Sequence, residues 1–545
     1  MGVVGEGEEE GVVVRGGGEA GPSNHNKTST ARIVEWQADS PPPPVPDVNF
    51  AEYILQSFQS HSHDVAMVNV QEGTIEGETH TYTQLQREVS WVAGGLVASG
   101  VRPGDVVLLL THTHFDYATV LLAVVYMGGV CVPISAGLKS EELAHVIKVS
   151  SAKYAIIQHK SAARENLRGA LSLLPRGVLR QVWKLEREEE EEEEEDTTPS
   201  LSHLLRGPPV PPHNMAHTAS TTPAVMFFSS GTTGLPKGVL LSHTNLLAPH
   251  LCNRYMLDLT TKTLGNDAAL LLSAAYARML LLLPLHHIYG FHMLMIAFCF
   301  GFTSYLLPHF SPVKFFSAIE KYKITACPMV PHLASFLADS PLTSKYDLSS
   351  LRSVSSSTAP LSSATIHSLL HKRGLEIGNG YGMTEAVCIA TNGGLFGFNP
   401  ESVGKIMPYT QVKVTDINTG QPLGEGEEGE VCVKSATVMM GYVNNSTATA
   451  ETIDPQGWLH TGDLGYYDKD NFIFLTDRMK DLIKVKGFQV SPKEVEEVIL
   501  KVEGVLEVAV VGVPHHRTGE AARAWVVLKE GTHTTPQHIQ RAVRG

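Results

Sequence analysis

The sequence has few cysteines, and their spacing excludes two common kinds of stabilising site. Six are spread over 545 residues, and no two form a C-x-x-C pair. Disulfide frameworks and zinc-binding modules both need closely spaced cysteines. We therefore expect neither, and a reducing compartment fits best. The six are Cys131, Cys252, Cys299, Cys327, Cys388 and Cys432.

Excess positive charge is also missing. The formal net charge is −14, and the run from Glu188 to Asp196 supplies nine of the negative charges. Most of the remainder comes from acidic residues among the first twenty, so the rest of the chain is almost neutral. Such runs are typical of solvated spacers. With no basic field, a nucleic-acid partner is not expected.

The chain lacks an obvious targeting or membrane segment. No basic start followed by an apolar core opens the sequence, so we expect no secretory signal. The most apolar stretches, 268–285 and 288–307, are interrupted by Arg278 and by His286 and His287. A charge inside a bilayer is costly, and buried strands of α/β domains are apolar too. We interpret these stretches as buried core and expect no stable membrane span.

The length predicts several folding units, and the pattern along the chain separates them. Residues 1–48 are rich in Gly and Glu and then in Pro, which predicts disorder. Residues 49–476 are expected to form a large unit with an acidic surface insertion near 186–197. Residues 477–480 would be a hinge, and 481–545 a small C-terminal unit.

Strand and helix signals alternate in the first part of the large unit. A helix is predicted from Tyr82 to Leu96, a buried strand over Val106–Leu110, a second helix ending near Met127, and a strand from Val130. This alternation favours βαβ units with a mostly parallel sheet. Residues 404–475 carry short strands with Gly and Pro turns, which predicts a β-rich subdomain. The fold class is therefore α/β, with a small α+β C-terminal domain.

One loop has the composition of a phosphate-binding site. A strand over 224–228 leads into Ser229-Ser230-Gly231-Thr232-Thr233-Gly234-Leu235-Pro236-Lys237-Gly238. Glycines let backbone N–H groups converge on an anion, hydroxyls add donors, and Lys237 adds a positive charge. No Gly-Lys-Ser/Thr follows the glycines, so this is not a Walker A loop. Taken alone, the segment could also be a flexible surface loop.

Four further segments follow this loop in a specific order. They are Gly380-Tyr381-Gly382-Met383-Thr384-Glu385, Trp458-Leu459-His460-Thr461-Gly462-Asp463, Asp477-Arg478-Met479-Lys480-Asp481-Leu482-Ile483-Lys484 and Lys486-Gly487-Phe488-Gln489-Val490. From Asn49 onward, the sequence resembles the adenylate-forming superfamily of acyl-CoA synthetases, 4-coumarate–CoA ligases and beetle luciferases. The resemblance implies ATP, Mg²⁺ and coenzyme A, with a small-molecule carboxylic acid as the other substrate.

In that family a carboxylate attacks the α-phosphate of ATP and pyrophosphate leaves. Two anions approach each other, so the site must supply positive charge and donors. The resemblance implies that Thr384 donates to the α-phosphate and that Glu385 holds Mg²⁺, although a Thr-Glu pair is otherwise an ordinary helix start. The β- and γ-phosphates would be held by Ser229, Ser230, Gly231, Thr232, Thr233, Gly234 and Lys237.

Three residues are assigned to the nucleoside by the same resemblance. Asp463 would accept both ribose hydroxyls, Arg478 would support the same ribose, and Tyr381 would stack near the adenine. Without the family they would be a turn aspartate, a surface charge and a core tyrosine.

The acid and the thiol are assigned to other segments. The resemblance places His287 beside the acyl pocket, although a histidine in an apolar run is more often a core residue, and Tyr289 on its wall. The rest of the pocket would be Ser357, Thr358, Gly380 and Gly382. For the thiol step the small unit rotates, with Lys480 as pivot, and Lys484 and Gln489 enter the site in one orientation.

The sequence departs from the family pattern in three places. It ends before the family's Pro-x-Thr-x-x-Gly-Lys-like segment, so the C-terminal domain is expected to be truncated and adenylation weak. Ser357 and Thr358 stand where smaller residues are usual, which predicts a narrower or more polar acyl pocket. The segment 271–282 is longer than the family's short strand, and either an extra loop or an assembly artefact would explain it.

Three functions remain open at this point. The leading hypothesis is a CoA ligase acting on a fatty or aromatic acid. A luciferase-like monooxygenase would share the adenylating core, and a truncated isoform could bind nucleotide without turnover. The location is expected to be cytoplasmic or peroxisomal, and the oligomeric state is open.

Overall fold

A computed structural model provides the structure of this chain. It describes residues 31–36, 41–70, 78–159, 162–187, 197–215, 217–229, 235–267, 274–393, 397–485, 488–515, 517–529 and 531–544. The acidic run 188–196 and residues 230–234 of the predicted phosphate loop lie outside the described residues.

The strands are numbered here in chain order. They are β1 Val34–Glu35, β2 Val65–Asn69, β3 Thr79–Thr81, β4 Val106–Leu110, β5 Val130–Ile134, β6 Tyr154–Ile157, β7 Gln181–Lys184, β8 Pro223–Ser229, β9 Lys237–Ser242, β10 Arg278–Leu281, β11 Thr303–Leu306, β12 Ala326–Met329, β13 Ser353–Ser356, β14 Ile377–Tyr381, β15 Ala390–Thr391, β16 Gly404–Ile406, β17 Thr410–Thr415, β18 Gly429–Ser435, β19 Gly441–Tyr442, β20 Leu459–Tyr467, β21 Phe472–Arg478, β22 Ile483–Val485, β23 Phe488–Val490, β24 Val505–His515 and β25 Gly519–Leu528.

The α-helices are numbered in the same way. They are α1 Phe50–Ser57, α2 Tyr82–Ala98, α3 Tyr117–Tyr126, α4 Ser140–Ser150, α5 Ala163–Ser172, α6 Leu201–Leu204, α7 His243–Leu264, α8 Ile288–Phe300, α9 Pro312–Tyr322, α10 Pro331–Asp339, α11 Ser363–Arg373, α12 Ser446–Thr452, α13 Pro492–Leu500 and α14 Pro536–Arg544.

A seven-stranded sheet contains the first predicted βαβ units. Its order is β19-β9-β8-β5-β4-β6-β7, and β4 pairs in parallel with both β5 and β6. Helix α2 begins at Tyr82, and the side chains of Thr81 and Gln84 cap it in the arrangement known as a capping box. The predicted helix, strand and parallel sheet are confirmed. Strands β8 and β9 are antiparallel, which places Ser229 opposite Lys237.

A fourteen-stranded sheet joins two different halves. Strands β14, β13, β12, β10, β11 and β2 are parallel neighbours, whereas β17, β18, β20, β21, β16 and β15 form an antiparallel half. The antiparallel half contains the short strands predicted between residues 404 and 475. The two halves meet where β14 pairs with β15, directly beside the Gly380–Glu385 motif.

The structure bears on two predictions, one for the N-terminal residues and one for the segment 271–282. Disorder through residue 48 is wrong for β1, because Val34 is buried and pairs with Val412 of β17; this adds an edge strand that burial stabilises. Within the segment 271–282, residues 271–273 lie outside the described part. The rest includes β10, which pairs with β11 and β12 in the sheet.

The last sheet is small and has the order β23-β22-β25-β24. Helix α13 begins at the capping residue Ser491, and β24 and β25 form a long antiparallel hairpin. Together they give the α+β character expected for the C-terminal region. In the described part of the chain, no helix is both long and apolar enough to cross a membrane; the apolar helix α8 is buried core, as predicted.

Candidate active site

Most of the predicted site residues line one cavity of about 1040 Å³. Its walls come from β8 and β9, helices α7 and α8, the ends of β13 and β14, and the residues at and after the end of β21. The predicted residues on the wall are Ser229, Lys237, His287, Tyr289, Ser357, Thr358, Gly380, Tyr381, Gly382, Thr384, Glu385, Arg478 and Lys480. Residues Ser230, Gly231, Thr232, Thr233 and Gly234 lie outside the described residues.

A tyrosine links the phosphate-loop lysine to the predicted metal ligand. Tyr442 of β19 donates to Glu385 Oε1 at 2.9 Å, and Lys237 Nζ lies 4.9 Å from the centre of the same ring. Burial, and then the charge of Glu385, raise the pKa of Tyr442, so it remains a neutral donor. The pairing of β19 with β9 therefore fixes a cation and a carboxylate on the same stretch of wall.

The three residues predicted to hold the nucleoside are joined by hydrogen bonds, with Tyr381 and Asp463 buried and Arg478 exposed. Tyr381 donates its hydroxyl to Asp463 Oδ2 at 2.7 Å, and Arg478 Nε donates to Oδ1 at 2.9 Å. Burial raises the pKa of Asp463, while these two bonds act in the opposite direction. Asp463 is only 5% exposed and lies behind the wall that Tyr381 and Arg478 line.

The two glycines of the Gly380–Glu385 motif differ sharply. A Cβ on Gly382 would come within 2.3 Å of the carbonyl oxygen of Val387, whereas one on Gly380 would meet nothing closer than 3.8 Å. Gly382 is thus required by the close approach of two backbone segments, and Gly380 is not.

His287, which was predicted to lie beside the acyl pocket, caps α8 and lies on the cavity wall. Its Nδ1 accepts the N–H of Tyr289 at 3.3 Å, and its ring is exposed to the cavity. Desolvation lowers its pKa, so the ring is neutral near pH 7. The Tyr289 hydroxyl lies 3.4 Å from Ser355 Oγ. Both residues lie on the cavity wall.

The unusual Ser357-Thr358 pair forms a strained turn in the wall. Ser357 Oγ donates to the carbonyl of Gly380 at 2.9 Å, which ties the ends of β13 and β14 together. Thr358 has a φ of 82°, a conformation that a β-branched residue rarely adopts. Beside them, Ser356 Oγ is buried and has no hydrogen-bond partner among the described residues.

Sequence reasoning missed a second group on the wall. His460 Nδ1 donates to Glu430 Oε2 at 2.7 Å, and Glu430 Oε1 accepts the N–H of Gly462 at 3.2 Å. Cys432 Sγ lies 3.6 Å from His460 Nδ1, so these three side chains could also approach one metal ion. The 2.7 Å contact is a hydrogen bond, and it positions the turn before Asp463. The sequence indicates these residues only in that they lie in the predicted β-rich subdomain.

The residues assigned to the thiol step differ in their distance from the cavity. Lys480 lines it, but Lys484 is exposed and lies outside the wall, with its N–H bonded to Glu520. Lys484 pairs across β22 and β23 with Gln489, whose side chain lies outside the described residues. The backbone N–H of Met479 donates to the Gly462 carbonyl, which ties the predicted hinge to β20.

Comparison with known proteins gives consistent results. A family model described as AMP-binding enzyme matches residues 55–443, and one for the AMP-binding enzyme C-terminal domain matches 494–545. The 4-coumarate–CoA ligase 1 of Petroselinum crispum is 32% identical, with 86% of this chain and 83% of the relative covered. The peroxisomal OPC-8:0-CoA ligase 1 of Arabidopsis thaliana is 31% identical, covering 94% and 90%.

A solved structure agrees with these matches. ATP-bound MatB from Rhodopseudomonas palustris superposes with a TM-score of 0.77 at 26% identity, over 90% of this chain and 92% of that one. The family match spans most of the chain, and the cavity gathers the motifs that define the resemblance. The chain therefore belongs to the AMP-binding enzyme family, within the adenylate-forming superfamily.

Proposed function

We propose that this protein activates a fatty or aromatic carboxylic acid with ATP and transfers the acyl group to coenzyme A. Acyl-AMP and pyrophosphate would form first, and the CoA thioester and AMP second. The observation that carries the proposal is the single cavity that joins a charged end, with Lys237, Glu385 and Arg478, to an apolar arm along α8.

Each end of the cavity suits one reactant. Lys237 and Arg478 supply the positive charge that two approaching anions need. Met256, Met293 and Ile296 line the other end, which suits the hydrocarbon part of an acid. Asp463, although behind the wall, would hold the ribose once Arg478 turns aside.

The residues present also fit a magnesium ion. Glu385 presents a carboxylate on the cavity wall, and carboxylate oxygens are the ligands that Mg²⁺ prefers. When bound with ATP, the ion would neutralise phosphate charge. Tyr442 would hold the Glu385 side chain in place through its hydroxyl.

The thiol step is assigned to the C-terminal region. Lys484 and Gln489 lie together on β22 and β23, and we propose that rotation after Lys480 brings this hairpin to the cavity. The names of the two CoA ligases similar to this chain support this end use over a luciferase-like one.

Acid-dependent ATP–pyrophosphate exchange and CoA thioester formation test the proposal directly. A panel of fatty and aromatic acids should yield both activities with at least one acid. Lys237→Ala should lower exchange by about 100-fold, because one charge on the phosphates is lost. The matched control is Lys372→Ala on α11, which removes an exposed ion pair with Asp339 of α10. Exchange that no acid stimulates would refute the proposal.

A further inference from the structure

A glutamate, a cysteine and a histidine converge where two antiparallel strands pair. Glu430 and Cys432 are two residues apart on β18, and strand β20 places His460 directly opposite Cys432. Side chains of directly opposed residues lie on the same face of a sheet. We call Glu430, Cys432 and His460 the β18–β20 cluster.

The donor atoms of the β18–β20 cluster are spaced almost as a tetrahedral metal ion requires. Sγ of Cys432 is 3.6 Å from Nδ1 of His460 and 3.9 Å from Oε2 of Glu430. Around Zn²⁺, a sulfur ligand is about 3.6 Å from a nitrogen or oxygen ligand, and nitrogen and oxygen are about 3.4 Å apart. Nδ1 and Oε2 share a hydrogen bond of 2.7 Å, so only this pair must separate, by about 0.7 Å.

The β18–β20 cluster is enclosed on one side and open to the cavity on the other. Cys432 is 0% exposed, whereas Glu430 and His460 both line the cavity. An ion can therefore reach the cluster through the cavity. It would keep a fourth position open, as metal sites with three protein ligands do.

A further carboxylate is placed to orient the histidine. Oδ2 of Asp454 lies 3.9 Å from Nε2 of His460. Its Oδ1 accepts the backbone N–H groups of Gln456 and Trp458, each at 2.9 Å, which fixes the carboxylate. A metal-bound histidine almost always directs its other ring N–H at a carboxylate, a carbonyl or water, and Asp454 is in the position for that role.

The charges around the cluster balance those of a divalent ion. Thiolate is the metal ligand, so the Cys432 thiol would release its proton to solvent on binding. Thiolate and the Glu430 carboxylate then match the two charges of the ion. His460 would move its proton from Nδ1 to Nε2, toward Asp454, whose own charge is offset by Lys413 Nζ at 3.9 Å. No unpaired charge would be buried.

We propose that the β18–β20 cluster binds Zn²⁺ at the edge of the cavity. A thiolate, an imidazole and a carboxylate together suit this ion, whereas Mg²⁺ prefers oxygen ligands. The site uses none of the residues proposed for Mg²⁺, and it does not depend on the ligase proposal. Cysteine spacing could not indicate it, because the site has one cysteine and a histidine 28 residues further on.

Metal binding to the full-length protein tests the proposal without an activity assay. Zn²⁺ is titrated in competition with a chromophoric chelator, and Co²⁺ replaces it to report the ligands. We expect one tightly bound ion per chain that excess Mg²⁺ does not displace. The Co²⁺ form should show a thiolate charge-transfer absorption in the near ultraviolet. No tightly bound ion, or a bound ion without that absorption, would overturn the proposal, and neither measurement needs a variant to fold.

Variants identify the ligands. Cys432→Ser and His460→Asn should each weaken Zn²⁺ binding by about 100-fold or more, because loss of an outer partner alone costs about 10–100-fold. Asp454→Asn, which changes such a partner, should cost about 10-fold. Cys327→Ser in β12 and His371→Asn at an exposed position of α11 are the matched controls and should leave the affinity unchanged. Wild-type affinity in Cys432→Ser, or loss of binding in His371→Asn, would place the ion elsewhere and refute the proposal.

Discussion

Apolar side chains are much more deeply buried in the cavity-bearing region than in the C-terminal sheet. Strand β4 is almost wholly enclosed between helices, and Val107, Leu108 and Leu109 are 0% exposed. In the C-terminal sheet the buried cluster consists, among described residues, of Ile483, Ile499, Val505 and Val510. Its outer face instead exposes large apolar side chains such as Trp525, which is 54% exposed.

This difference corresponds to two mechanical roles. The large region keeps the cation, carboxylate and histidines of the cavity in place through a dense core. Within the described part of the chain, the C-terminal region is tied to it at few points, one of them the hydrogen bond of Ser491, the cap of α13, to Asp477. Few contacts mean a small free-energy cost for reorientation, as the proposed thiol step requires.

The largest expected effect concerns acid stability of the large region. Burial lowers the pKa values of His243, His286 and His292 to about 4. Between about pH 6.5 and 4 the unfolded chain binds protons that the folded chain does not, so stability falls as pH falls. At pH 5 the loss is on the order of 2 kcal/mol for each histidine.

Urea unfolding at pH 7 and pH 5, followed by hydrogen exchange, should show this loss in β4 and β5. The C-terminal hairpin of β24 and β25 should change much less. His292→Asn, which removes one titrating group, should recover about a quarter of the pH dependence or less, because burial also lowers the pKa of His250. Equal losses in both regions would contradict the comparison.

The next largest effect is a loss of stability that we expect on substitution of Gly382 but not of Gly380 in the same motif. Gly382→Ala would force a Cβ to 2.3 Å from the Val387 carbonyl, and we expect a loss of about 3 kcal/mol or more. Gly380→Ala is the matched control, because the nearest atom is 3.8 Å away, and its unfolding midpoint should scarcely move. A Gly382→Ala protein as stable as wild type would show that this wall can yield.

Some of these elements could be predicted from the sequence alone, and others could not. Local signals predicted α2, β4 and β8, and most of the site residues predicted from the motifs line the cavity. The sequence did not predict β1, because its partner β17 lies far along the chain, nor the bond between His460 and Glu430. The contact between the rings of His250 and His292, with centres 5.2 Å apart, likewise depends on how α7 packs against α8, which no local pattern encodes.

If the C-terminal region rotates as proposed, a substitution in that region should affect the two half-reactions unequally. Lys484 is exposed and outside the cavity, so Lys484→Ala should lower CoA thioester formation by about 100-fold and ATP–pyrophosphate exchange far less. Lys501→Ala, at an exposed position after α13, serves as control. If exchange falls as much as thioester formation, Lys484 acts in the first step and the proposed rotation is wrong.

The smallest effect is expected on the outer face of the C-terminal sheet. Trp525→Thr should change the free energy of unfolding by about 0.5 kcal/mol or less, since an exposed side chain loses little burial. Ile499→Ala, in the small buried cluster, should cost about 2–4 kcal/mol. Both are measured by hydrogen exchange along β24 and β25. If Trp525→Thr costs as much as Ile499→Ala, this face is covered in solution by another surface, and the contrast in burial between the two regions is smaller than the structure indicates.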